Sequence, residues 1–437
     1  MEIQPFRAYR FDASVVGDVG DCIAPPYDVI DADQQRQLYE KSPYNIVRIT
    51  RGKTTSCDDE QHNQYTRAAE YLTQWIQQGA LKQDAREGIY GYVQDFAIDG
   101  VAFERLTFIA LGKIEDFGKT VKPHEQVFAK PMLDRLNLKK ATAARFGLVF
   151  MLYEDSQGVA DRIIQKTAAQ IPLVDFIDDQ EVRHRLFVIT GKAEIEAIRQ
   201  MMAQKSCIIA DGHHRYTTGL TYWRQNGNPA AAYQMMAFTN LCQQGLVVLA
   251  THRVAGSVAD FEPQTFLGRL RGQFDLVEFP FTPQDEDKMQ ARQKMLARMK
   301  TLHEEDRVAF GIYMAGGAFR VAILKDKKLM ADATPEMSEA WRTLDVSVLQ
   351  KLVLQELLGM DEDRMGDPNC VEYVKDVPNA IDAIVSRIDE GQKQVAFFTN
   401  PVKMQQLVAV TDTGERMPHK STYFFPKMYT GLTIQKL

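Results

Sequence analysis

The chain has 437 residues, 45% apolar and 25% charged, with 52 basic side chains against 58 acidic ones and a formal charge of −6. That balance excludes collagen-like, disordered and disulfide-scaffold proteins. It also argues against a strong sequence-independent nucleic-acid binder, which needs positive charge to meet phosphate, and the length suits two or three domains.

The N-terminal Met-Glu-Ile-Gln-Pro-Phe-Arg has neither the basic nor the apolar region of a signal peptide, and no apolar run reaches the length of a membrane span. The cysteines, Cys22, Cys57, Cys207, Cys242 and Cys370, are scattered and fall into no zinc-ligand spacing. Buried reduced thiols and a cytoplasmic location are the expectation.

In chain order, Pro25-Pro26 fixes an extended loop around Ala24–Ile30. Tyr65, Ala68, Leu72, Trp75 and Ile76 recur at helical spacing and predict a helix over 59–79, stopped by Gly79. Strands are expected at Ile89–Phe96 and Val101–Leu111, joined by Asp99-Gly100, a strong hairpin signal. Further strands are expected at Gly147–Tyr153, His184–Thr190, Cys207–Ala210, Ala231–Asn240 and Gly245–Ala250. Helices are expected at 161–170, 192–204 and after Gly212. A boundary near 255–262 divides the chain into 1–258 and 259–437. Beyond it, 261–306 mixes helix with polar sequence, and Val308–Met314 and Ala318–Leu324 flank a Gly316-Gly317 hairpin. Leu344–Leu358 and Ala380–Ile388 read as helices, and Val395–Phe398 as a strand.

Three clusters carry chemistry. In Ile208-Ile209-Ala210-Asp211-Gly212-His213-His214-Arg215-Tyr216 a buried strand becomes a helix. A helix start offers unpaired N–H groups and the positive end of the dipole. Gly212 allows close approach of a ligand, His213, His214 and Arg215 add donors, and Asp211 could hold Mg²⁺ or accept a hydroxyl proton. The alternative is an ordinary capped helix with histidines bonded to nearby backbone. In Lys122-Pro123-His124-Glu125, Glu125 could serve as a general base or be a solvated charge. Phe128 excludes the HExxH zinc motif. The basic residues that follow, Lys130, Arg135, Lys139, Lys140 and Arg145, read as a wet helix face before an anion groove. Near the C-terminus, Lys420, Ser421, Thr422 and Lys427 could bind an anion or flank a terminal strand. No P-loop, GxGxxG turn or GxSxG elbow occurs.

Pro-Pro-Tyr-Asp-Val-Ile (25–30), Pro-His-Glu (123–125), Asp-Arg-Leu (134–136), Ala-Asp-Gly-His-His-Arg-Tyr (210–216), Thr-His-Arg (251–253) and Met-Pro-His-Lys-Ser-Thr-Tyr-Phe-Phe-Pro-Lys (417–427) resemble domain-of-unknown-function family 1015. The 211–215 segment is similar to a box of the ParB/sulfiredoxin superfamily, in which a Gly-x-x-Arg turn cradles nucleotide phosphates. His213 stands where sulfiredoxin carries its reactive cysteine, so that chemistry is not implied.

The resemblance implies an α+β fold with mixed sheets, a ParB/sulfiredoxin-like nucleotide-binding region and additional α/β elements. It implies a Mg²⁺-dependent phosphotransferase that uses ATP or another nucleotide and a small hydroxylated metabolite. Glu125, Asp211 and His214 would be catalytic. His124, Gly212, His213, His214, Arg215 and Lys420 would bind the nucleotide, and Asp211 the metal. Two alternatives remain open: a nucleotide-gated ParB-like binding protein without catalysis, and a metal-dependent hydrolase using His124, Glu125, Asp211, His213 and His214.

Overall fold

The computed structural model describes all residues except 127, 128 and 283, and gives 129–131 as backbone alone. The chain divides into two units, Met1–Val247 with Pro426–Leu437, and Val248–Phe425. The expected cut at 258/259 therefore falls inside the second unit, and the C-terminal segment returns to the first.

The first unit is built on a nine-stranded mixed sheet. Its strands are β1 (Ile3–Gln4), β2 (Ile89–Ile98), β3 (Val101–Lys113), β4 (Val121–Pro123), β5 (Val149–Tyr153), β6 (Val174–Ile177), β7 (Arg183–Ile189), β8 (Cys207–Asp211) and β9 (Tyr233–Asn240). The order is β4-β8-β5-β9-β3-β2-β7-β6, with β1 also on β3. The β2–β3 hairpin turns at Asp99-Gly100, both at positive φ (50° and 78°), as a two-residue hairpin loop requires. β4 runs parallel to β8 with Pro123 opposite Ile209, and β5 runs parallel to β9. These pairings bring the residue after β4 beside the end of β8.

Five helices matter to the site: α1 (Gln64–Gln77), α2 (Ala129–Thr142), α3 (Val159–Thr167), α4 (Lys192–Ala203) and α5 (His213–Asn226). α2 packs on both α1 and α5. One face of the sheet carries a buried cluster in which Phe108 stacks on Phe238 at 4.9 Å, with Met151, Ile209, Tyr216 and Leu220 around them. The four residues Cys207–Ala210 are all buried, so β8 reads as a continuous apolar run rather than an alternating one.

The second unit holds a six-stranded sheet of β10 (Thr251–Ala255), β11 (Phe274–Pro280), β12 (Ala309–Tyr313), β13 (Ala318–Leu324), β14 (Val371–Lys375) and β15 (Val395–Phe398), in the order β11-β13-β12-β15-β10-β14. Helices α6 (Asp285–Glu304) and α7 (Ala380–Asp389) supply Met295, Met299 and Ile384 to its core. The helix expected at Leu344–Leu358 is α-helical only over Asp345–Val348 and widens into π-helical winding over Leu349–Leu357, where Leu358 N–H reaches back five residues to Val353 (2.9 Å). The strand expected at Gly245–Ala250 is confined to Val247–Leu249, and β10 begins only at Thr251.

No disulfide forms among the described residues. Cys22, Cys207 and Cys370 are buried, whereas Cys57 and Cys242 are exposed, so the buried-thiol expectation holds for three of the five. Among the described residues no helix is long and apolar enough to cross a membrane.

Candidate functional site

β8 ends at Asp211, and Gly212 turns the chain into α5 with φ 92°. That left-handed conformation favours glycine. Space enforces the choice as well, because a Cβ there would lie 3.0 Å from Arg215 Nε and 3.1 Å from its Cζ. As N-cap, Gly212 has no side chain to satisfy the first-turn amides of His213, His214 and Arg215.

Asp211 is the electrostatic centre. Lys427 donates to its Oδ2 at 3.0 Å, and Arg215 Nη2 lies 3.5 Å from Oδ1. Burial alone would raise its pKa, but Lys427 and Arg215 outweigh it and hold the carboxyl well below the usual range. Arg215 also donates through Nη1 to the Leu148 carbonyl. Lys427 is placed by its own backbone. The carbonyl of Pro426 accepts from the fully buried Arg105 of β3, and that of Lys427 accepts from Gln94 of β2 at 3.0 Å. Two residues inside the sheet thus anchor the C-terminal segment that reaches Asp211.

His124 follows β4 and is buried. Its Nδ1 lies 2.6 Å from the Ile209 carbonyl, which can only accept, so Nδ1 carries the hydrogen. Its backbone N–H donates to His213 Nε2 at 3.3 Å, and the two rings meet edge-on at 4.8 Å. Burial lowers the pKa of both. It pushes His213 down to about 3, with the neighbouring His124 adding to the effect. Both are therefore neutral at physiological pH. Glu125 lies near enough for its charge to be felt by both histidines, and the charge of His214 is felt by His213.

The sequence-derived residues Glu125, His124, Asp211, Gly212, His213, His214 and Arg215 accordingly share one corner of the first unit. His213, expected to donate to a ligand, instead turns its ring onto His124. Lys420 belongs to the second unit, with φ 57° and its carbonyl accepting from Arg253 at 3.3 Å. Val127 and Phe128, next to Glu125, and the side chain of Lys130 lie outside the described residues. Among the described residues, no group of three or more His, Cys, Asp or Glu is placed to hold a metal ion. Asp211 faces two cations instead, so these residues do not fit a resident metal.

Sequence reading missed Arg105 and Gln94 as positioning residues. Both sit in β strands with no motif around them. The signal would have been two long polar side chains on segments otherwise read as core.

The fold and the site define a mixed α+β protein with a charge-paired strand-to-helix turn. The chain belongs to the family described as Protein of unknown function (DUF1015), whose profile matches residues 3–347. No curated protein matches it. Weak structural likeness extends to a conserved hypothetical protein from Pyrococcus furiosus (13% identity, 71% of this chain and 89% of that one, TM-score 0.33). It extends also to a free serine kinase in complex with AMP (13% identity, 70% and 83%, TM-score 0.33) and to C-terminally truncated SbnI from Staphylococcus aureus (10% identity, 73% and 84%, TM-score 0.35). Likeness at this level carries no functional conclusion.

Proposed function

We propose that the first unit is a nucleotide-dependent phosphotransferase whose turn, Gly212–Arg215, seats the nucleotide phosphates in the manner of a ParB/sulfiredoxin-like box. The observation that carries this reading is the start of α5. A left-handed glycine there brings no capping side chain to the first helical turn, and Arg215 and Lys427 stand beside that turn. Amides at a helix start, a guanidinium and an ammonium are the donors that phosphoryl oxygens use. Asp211 is assigned to positioning Arg215 and Lys427 rather than to binding metal. Mg²⁺ would enter on the nucleotide phosphates, since it takes few protein ligands.

Glu125 is the proposed base. The acceptor hydroxyl would give its proton to the Glu125 carboxylate as its oxygen attacks the terminal phosphorus. The bond to the bridging oxygen breaks and the nucleoside diphosphate leaves. His213 is too weakly basic for that role. His214, half-buried on the first helical turn, is assigned to the phosphates.

Calorimetric titration with ATP, ADP and CTP in the presence of Mg²⁺ tests the seat. Arg215→Ala should abolish binding, and full binding by that variant would sink the assignment. Glu125→Gln should bind normally and lose phosphate transfer. The two buried histidines are neutral, so acid–base chemistry falls to Glu125 alone, and binding without transfer is the second reading. Turnover unchanged in Glu125→Gln would remove Glu125 as the base, and nucleotide binding with no transfer to any hydroxyl compound would select the second reading.

A further inference from the structure

Beside the turn lies a cleft of the first unit, open to solvent at its mouth, lined by Arg135, Lys139, Arg145 and Arg215 together with Tyr27 and Gln234. Two of these cations have carboxylate partners. Arg135 is bonded to Asp134 at 2.8 Å, and Arg215 lies against Asp211. The other two do not. Lys139, on the last turn of α2, and Arg145, just beyond it, are buried, with only 6% and 3% of their surface exposed. Lys139 Nζ donates to Gln234 Oε1 at 3.2 Å, and Arg145 Nε donates to the same oxygen at 3.0 Å. The remaining acceptors of Arg145 are the Ala231 carbonyl (3.2 Å) and Gln435 Oε1. All are neutral, and among the described residues neither cation forms an ion pair.

This arrangement is costly unless something negative joins it. Burying one cation on neutral acceptors is already unfavourable, and two converging on a single oxygen repel each other. Burial and the neighbouring Arg145 push the Lys139 pKa well down. The surroundings are nevertheless shaped to keep the pair together. At Gly219 of α5 a Cβ would lie 2.8 Å from Gln234 Oε1 and 3.5 Å from Lys139 Nζ, so glycine makes the room that the three groups occupy. The pair also opens onto the cleft instead of being sealed in the core.

We propose that this cleft is a second anion site, in which Lys139 and Arg145 take a carboxylate or phosphoryl group of a small ligand. It borders the phosphate seat at Gly212–Arg215 through Arg215, but its own cations are Lys139 and Arg145, and it stands whether or not that turn binds a nucleotide. The ammonium supplies a compact charge and the guanidinium a flat pair of donors, which suits either oxyanion.

Thermal melting of the full chain at constant ionic strength, with inorganic phosphate or acetate added separately, is the test. One of the two ions should raise the melting temperature of the first unit, and which one does so tells phosphoryl from carboxylate. Gln234→Glu places a carboxylate where the two cations already converge. It should raise the melting temperature without added ion and abolish the ion-dependent rise. Lys139→Met should weaken ion binding by at least ~30-fold, as for a lost partner of a buried charge. No rise with either ion in the unaltered protein overturns the proposal. So does a rise that persists undiminished in Gln234→Glu, which would place the ion on the turn or elsewhere.

Discussion

Asp211 in the first unit and Asp345 in the second are both largely withdrawn from water, yet their surroundings drive them in opposite directions. Asp211 meets an ammonium at 3.0 Å and a guanidinium at 3.5 Å, and it stays ionised despite burial. Asp345 meets the Ala309 amide at 3.2 Å and the Asn400 side-chain amide at 3.4 Å. Burial pushes it up to about 7, and these neutral donors offset only part of the shift. The first carboxylate organises cations around a turn. The second ties the start of a helix to the first residue of β12. Burial by itself therefore does not mark a functional acid; the charge of its partners does.

The pH dependence of the second unit should sharpen the contrast most. Asp345 titrates near 3.8 when unfolded and about 7 when folded, so the folded form prefers the proton. Its contribution is fully present below pH 4 and is lost as pH rises towards 7. A shift of this size amounts to at most about 4 kcal/mol. Denaturant unfolding followed between pH 4 and 8 should show this loss in the second unit. Asp345→Asn should flatten it, because Asn keeps an oxygen for Ala309 and Asn400 can turn its amide over. An unchanged slope in that variant would remove Asp345 as its source.

Much of this was legible in the sequence, and the exceptions have physical causes. The β2–β3 hairpin announced itself through Asp99-Gly100, and β15 through four consecutive apolar residues bounded by polar ones. The corner containing Asp211, Gly212 and Arg215 was legible because its residues are contiguous and a glycine at a strand end constrains the backbone. Lys427 was named only as one of several cations in the C-terminal segment. Its pairing with Asp211, 216 positions away, depends on the C-terminal segment returning to the first sheet, which no local pattern reports. The helix α2 has weak amphipathicity and carries Lys139 and Lys140 in its last turn, so it read as a wet basic face. Lys139 is buried all the same, because α5 and β9 cover it. The pitch of Leu349–Leu357 was hidden too, since apolar spacing over nine residues fits an α-helix and a π-helix alike.

Replacing Lys427 should break the comparison from the other side. Lys427→Met leaves Asp211 buried with Arg215 as its nearest cation. Removing one member of a buried pair costs about 3 kcal/mol, towards the low end because the two side chains keep 15% and 18% of their surface exposed. In the unaltered protein the depressed pKa of Asp211 contributes stability that is present above its unfolded value near 3.8. That contribution is lost as pH falls through the folded value. Chemical denaturation from pH 7 down to pH 3 should therefore show the gap between variant and parent beginning to narrow below about pH 4. A constant gap between the two would mean that Lys427 stabilises through packing instead.

Gly212→Ala should have the smallest effect on stability and a disproportionate one on binding. At φ 92° an alanine costs about 1–2 kcal/mol in backbone strain. Its Cβ, 3.0 Å from Arg215 Nε, displaces the guanidinium. The far end of an arginine moves easily, so the fold should survive with a melting temperature lowered by only a few degrees. The moved group is, however, the one that links Asp211 to the Leu148 carbonyl and faces the proposed phosphate seat. Nucleotide binding in Gly212→Ala should fall towards that of Arg215→Ala, although Arg215 itself is still present. Equal loss in the two variants would show that the position of the guanidinium matters as much as its charge. Retained binding in Gly212→Ala would mean that neither the glycine turn nor the placement of Arg215 sets the affinity.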